Sequence, residues 1–255
     1  MTLPVLLDVI TRGPAEDVAL GPLLLRYGHS DATEILRIYT PEPTAAFSRR
    51  DTLRPGYQAA AESAREHGFA PVVRPQGGRL AAYHRGSVVV DHVFRAPNPQ
   101  AGLIDRFRQF AALHAAMLVE LGVDARVGEV PGEYCPGEFS VNVAGTSKII
   151  GSAQRVTRDG WLMSSVFQVT GTAATRGVLR ATYRDLGYDF DPATVGSIED
   201  FVPGFTVETA AQALRKSYAG AGAVEVGDLD GAWLGELRSE DRHEERGQQE
   251  GDDAT

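Results

Sequence analysis

The stretch FSVNVAGTSKIIGSAQRV, residues 139–156, decides the architecture. Phe139, Val141 and Val143 alternate with polar residues, the two-residue period of a strand with one buried face. A turn at Gly145–Thr146 interrupts the run and KIIGSAQRV resumes it, so the segment reads as two strands around a turn. Strand alternation puts Lys148 on the face of Ile150 and Ser152. A lysine within an apolar strand is costly unless it is paired or its pKa is shifted. The competing explanation is an edge-strand charge that deters aggregation.

Outward from this pair, EILRIYT (34–40), AAFSRR (45–50), APVVRP (70–75), GRLAAYH (78–84), SVVVDHVF (87–94) and GWLMSSVFQV (160–169) read as further strands. Helices are expected over 14–28, where Pro14 opens the first turn with Glu16 and Asp17 behind it, and over 55–68, 171–187 and 206–220. The strongest helix is 101–122, where Leu103, Phe107, Phe110, Leu113, Met117 and Leu121 recur every three or four residues. Residues 126–139 are loop-like, with two prolines and three glycines. The pattern predicts an α+β domain with a mixed, largely antiparallel sheet flanked by helices, without the βαβ alternation of a doubly wound fold. One domain is expected over 1–237, with its core at about 14–187 and a helical extension at 188–237. The polar, charged segment 238–255 reads as a disordered acidic tail.

At 255 residues and 43% hydrophobic, the chain can bury a core without staples, which excludes collagen, disordered and disulfide-scaffold classes. No apolar run approaches the ~18–20 residues of a membrane span. The opening MTLPVLLDVITRGPAED lacks a basic n-region, and the chain has one cysteine, so the expectation is a cytoplasmic protein. Net charge is -9, and residues 238–255 carry -4 of it. A mildly acidic body is a poor nucleic-acid footprint, so neither nucleic acid nor membrane is expected as a partner. Of 25 basic residues only Lys148 and Lys216 are lysine. If arginine generally replaces lysine here, a surviving lysine is kept for the compact, titratable ammonium that arginine cannot copy.

Three constellations could carry chemistry. In Arg74-Pro75-Gln76-Gly77-Gly78-Arg79, paired glycines let a ligand approach the backbone and the arginines could bind a carboxylate or phosphate, although a hairpin turn produces the same pair. Cys135 lies in GEYCPGE (132–138), on a predicted irregular loop, where a nucleophile would need a nearby cation; a lone cysteine is otherwise a small buried hydrophobe. Lys148 leads the run KIIGSAQ (148–154). His84, Asp91 and His92 do not make a metal spacing, and any histidine partner for Cys135 is left open.

Four pieces in order carry a resemblance: LRIYTPEPTAAFSRR (36–50), EHGFAPVVRPQGGRLAAYH (66–84), the helix 101–122 and SKIIGSAQR (147–155). Together they resemble the lipoate–protein ligase and lipoyl/octanoyl transferase family, whose fold is shared with biotin protein ligases and is class II aminoacyl-tRNA synthetase-like. The resemblance implies a tunnel for an octanoyl or lipoyl chain, with Lys148 at the acyl carbonyl. Substrate contacts would come from Arg74, Gly77, Gly78, Arg79, Tyr83, His84, Gly151, Ser152, Ala153 and Gln154. Partners would be lipoyl domains of 2-oxoacid dehydrogenases and the glycine-cleavage H protein. Cys135 in CPGEF resembles the cysteine-dependent branch, and Arg79 stands where ligases carry a third glycine. The expected activity is therefore octanoyl or lipoyl transfer between carrier proteins through a Cys135 thioester, with Lys148 lowering the thiol pKa and no cofactor. The alternatives are an ATP-dependent ligase using ATP and Mg, and a non-catalytic acyl-binding protein.

Overall fold

The computed structural model describes residues 5–8, 12–28, 33–220 and 225–227. The acidic tail lies outside them. In chain order the elements are β1 (Val5–Asp8), α1 (Pro14–Tyr27), β2 (Glu34–Tyr39), β3 (Thr44–Ser48), α2 (Arg49–Thr52) and α3 (Tyr57–Glu66). They continue with β4 (Ala70–Arg74), β5 (Ala81–Tyr83), β6 (Ser87–Arg95), α4 (Leu103–Glu120), β7 (Ala125–Val127) and β8 (Val141–Val143). Then come β9 (Ser147–Val156), β10 (Gly160–Gln168), α5 (Thr172–Leu186), α6 (Val207–Gly220) and β11 (Glu225–Gly227).

An eight-stranded sheet runs in the order β11-β1-β2-β6-β10-β9-β8-β7, and a three-stranded sheet in the order β4-β3-β5. All pairs are antiparallel except β1 with β11, β1 with β2, and β3 with β4. The mixed, largely antiparallel α+β architecture is thus the observed one. Two local βαβ crossovers are embedded in it, through α1 and through α2–α3. The strand expected over 45–50 stops at Ser48, because Ser48 and Asp51 form a capping box that opens α2. The loop-like segment 126–139 is entered through the short strand β7.

The two sheets bury different layers. One face of the large sheet packs Leu36, Val88, Ile150 and Phe167 against Ala111, Ala115 and Leu118 of α4 and Leu214 of α6. The small sheet packs Ala45 and Phe47 against Ala60 and Ala64 of α3 and Leu179 and Tyr183 of α5. Tyr39 and Val89 of the large sheet meet Ala46 and Tyr83 of the small one, closing the space between the sheets.

One irregularity changes the reading of β9. Val141 of β8 pairs with Ile150, but Asn142 pairs with Lys148, so β9 holds one extra residue at this step. Both Ile149 and Ile150 go into the α4 core. The bulge therefore places Lys148 with Gly151 on the side away from Ile150, and a Cβ on Gly151 would lie 3.3 Å from Lys148 Cε. Nor is β9 an edge: β8 and β10 flank it, and Lys148 also bridges to Val195. The edge-charge explanation is excluded.

Candidate active site

Between the sheets lies a cavity of about 400 Å³, within the ~300–1,000 Å³ range of small-molecule sites. Val89 of β6, Ala153 of β9 and Val166 of β10 form one apolar wall, and Ile104 and Phe107 of α4 with Phe139 continue it. Ile104 is 52% exposed, so the start of α4 marks a mouth beside the exposed turn at Gly77 and Gly78.

Cys135 lines this cavity from the loop between β7 and β8. Its φ is +44°, a left-handed conformation shared by only one other non-glycine residue, Ala144, among those described. L-residues pay about 1–2 kcal/mol for that geometry, and such strain collects at functional sites. Cys135 Sγ accepts a hydrogen bond from the Arg79 amide at 3.2 Å. A Cβ on Gly78, where φ is +96°, would stand 3.1 Å from that sulfur and 3.2 Å from Arg74 Nη2. Glycine is thus required both by the backbone and by the approach of the thiol.

A buried carboxylate builds the loop that carries Cys135. Glu133 accepts from the amides of Val130 at 3.0 Å and Gly137 at 3.1 Å, and from Ser140 Oγ at 2.6 Å. Its charge is met by Lys148 Nζ at 3.0 Å, with side-chain exposures of 0% and 3%. The ammonium also donates to the carbonyls of Tyr134 at 3.1 Å and Cys135 at 2.7 Å. Its three protons are all spent on the loop. The ammonium grips the Cys135 backbone, and the donor on the sulfur is the Arg79 amide.

A second buried network floors the cavity. Fully buried Arg37 of β2 donates to Asp17 of α1 and, at 3.3 Å, to Asp91 of β6. Asp91 accepts from Ser164 Oγ at 2.6 Å, and Ser164 accepts from Gln76 Nε2 at 2.9 Å. Burial pushes the Asp91 carboxyl above its ordinary range, while Arg37 and Ser164 pull it back. Arg37 was not expected at the site, although an arginine inside EILRIYT is the same signal that singled out Lys148.

Of the residues expected at the site, Cys135, Lys148, Arg74, Gly77, Gly78 and Tyr83 line the cavity. Gly151, Ser152, Ala153 and Gln154 line it too, as consecutive residues of β9. The Ser152 hydroxyl pairs with Ser165, and the Gln154 amide is engaged by Arg106 of α4. Arg79 contributes its amide, while its guanidinium lies over the Tyr188 ring at 4.7 Å. His84 stands outside the cavity, against Phe69, and no histidine lines it among the described residues. Asp91 is on the cavity side, whereas His92 pairs with Glu34; no cluster among the described residues could hold a metal ion.

The fold and the site together define a class. The chain matches the lipoyl protein ligase A/B catalytic domain over residues 14–219 and belongs to that family. Relatives include an "Octanoyl-[GcvH]:protein N-octanoyltransferase" of Geobacillus kaustophilus, 30% identical over 160 residues, 63% of this chain and 56% of the relative. A protein of the same name from Anoxybacillus flavithermus is 31% identical over 159 residues, 61% of this chain and 56% of the relative. The matched region is little more than half the length of these relatives. In fold the chain is similar to a lipoate-protein ligase A bound with ATP, with a TM-score of 0.73 at 17% identity over 93% of this chain and 94% of that one. It is also similar to a bi-partite lipoate protein ligase of Thermoplasma acidophilum, with a TM-score of 0.69 at 17% identity over 94% and 92%. No helix among the described residues is long and apolar enough to cross a membrane.

Proposed function

We propose that this protein is an octanoyltransferase that moves the acyl group from a carrier such as glycine-cleavage H protein to a lysine of a lipoyl domain. The observation that carries the reading is the placement of the chain's single thiol. Cys135 sits in strained backbone on the wall of an apolar cavity, beside a buried lysine. The relatives named for transfer from octanoylated H protein support the same reading.

In the first half-reaction the Cys135 thiolate attacks the acyl carbonyl carbon. A C–S bond forms, the bond from the acyl carbon to the donor nitrogen breaks, and the departing amine takes up the proton the thiol has lost. The octanoyl chain lies along Val89, Ala153 and Val166. In the second half-reaction the acceptor lysine attacks as a neutral amine. A C–N bond forms, the C–S bond breaks, and the released proton returns to the sulfur. The amides of Gly77 and Gly78 supply the oxyanion donors in this reading. Lys148 acts by holding the Cys135 carbonyl and the Tyr134 carbonyl, so that the sulfur is presented to the cavity. Neither half-reaction requires a nucleotide.

Intact-protein mass spectrometry after incubation with octanoylated H protein, without ATP, tests this. An octanoyl adduct on the wild type that is absent from Cys135→Ala supports the covalent route. Full transfer activity in Cys135→Ala overturns it, and acylation that appears only with free lipoate and ATP identifies a ligase instead.

A further inference from the structure

Next to the cavity, on the outer side of α1, runs a groove of different character. Its floor is apolar, formed by Ala15, Ala19, Pro22 and Leu23 of α1 with Val73 and Pro75. Its rim carries Arg26, Arg95, Arg155 and Arg158. Among the described residues of the lining the one carboxylate is Asp159, which Arg158 Nε meets at 3.4 Å. This concentration of positive charge occurs on a chain whose net charge is -9. Val73 is 43% exposed, an uncovered apolar side chain between the arginines.

The groove and the cavity share a wall. Val18 lines both. Along one segment, Val73 and Pro75 face the groove while Arg74 and Gln76 line the cavity. Arg155 Nη1 donates to the Pro75 carbonyl at 3.2 Å, tying the rim to the turn that holds Gly77 and Gly78. A molecule seated in the groove is therefore adjacent to the backbone that touches Cys135.

We infer that this arginine-rimmed groove docks a carboxylate-rich face of the acyl-carrying protein, delivering its acylated lysine to the neighbouring cavity. The inference rests on the transfer reading above. Guanidinium groups pair bidentately with carboxylates, and rim charges steer encounter and set register. An apolar floor within a charged rim is the anatomy of a protein interface.

The test uses the full chain and the double variant Arg95→Glu/Arg158→Glu, at two positions that do not line the cavity. Binding of octanoylated H protein is followed by fluorescence anisotropy with Cys135→Ala as background, so that no turnover is needed. The charge reversal is expected to weaken binding by about tenfold or more, and salt is expected to weaken wild-type binding far more than variant binding. Acylation of Cys135 by a small octanoyl thioester, octanoyl-N-acetylcysteamine, is expected to be unchanged. Equal, salt-insensitive binding by wild type and variant overturns the docking inference. So does loss of small-thioester acylation in the variant, which would place these arginines in the folding of the site. Salt-dependent carrier binding without acylation of the wild type by either donor would keep the groove and overturn the transfer reading instead.

Discussion

Lys148 and Glu133 meet at 3.0 Å with both side chains shut away from solvent. Replacing Lys148 by Met leaves the Glu133 carboxylate buried without its counter-charge, at an expected cost of about 3–5 kcal/mol. Urea unfolding measures it. The double variant Lys148→Met/Glu133→Gln is expected to cost less than the sum of the two single changes. Additive losses would show that the two groups do not interact.

The left-handed backbone at Cys135 separates two substitutions that both remove the thiol. Cys135→Gly takes up φ of +44° without strain, whereas Cys135→Ala keeps it. The glycine variant is expected to match or exceed the alanine variant in stability, by up to about 1 kcal/mol, since the gain in the folded state is set against the freer unfolded chain. Paired thermal melts check the order, and an alanine variant more stable by over 1 kcal/mol contradicts it.

At Gly78 an added methyl would press on Cys135 Sγ at 3.1 Å in backbone that disfavours it. Gly78→Ala is expected to cost about 1–3 kcal/mol of stability. The rate of Cys135 acylation by a small thioester is expected to fall at least about tenfold. Wild-type kinetics in this variant would remove Gly78 from the site.

Burial holds the His114 imidazole down to about 3, with His92 adding to the effect. The unfolded chain therefore binds a proton that the folded chain refuses between pH 6.5 and about 3. The stability His114 supplies is complete above pH 6.5 and is lost as pH falls through that window, by up to about 1.4 kcal/mol per pH unit. Urea midpoints from pH 7 to 4 measure the slope in wild type and in His114→Phe, which also gives up the contact with Tyr218. The variant is expected to lose less stability across this range, and parallel curves would refute the assignment.

The regular elements were legible where periodicity is local. Leu103, Phe107 and Phe110 mark α4 by spacing alone, and Pro14 marks the start of α1. The face of Lys148 was not legible, because alternation assumes an unbroken ladder and the extra residue at Ile149 is known only from the pairing with β8. The loop from Gly132 to Glu138 pointed to Cys135, but nothing in the local sequence marked Glu133. Its role depends on amides from Val130 and Gly137 that converge only once the loop closes. Asp17 read as a helix-dipole residue, and only tertiary packing sets it against Arg37.

The lysine that faces the thiol's loop has every proton engaged, and the chain's other lysine, Lys216, lies on α6, which contributes nothing to the cavity lining. Arginine guanidinium stays protonated and is a poor acyl acceptor at neutral pH. Among the described residues that line the cavity, a thioester on Cys135 would therefore find no imidazole and no amine but the fully engaged Lys148. In the transfer reading such a thioester is shielded from self-modification and waits for an amine brought from outside.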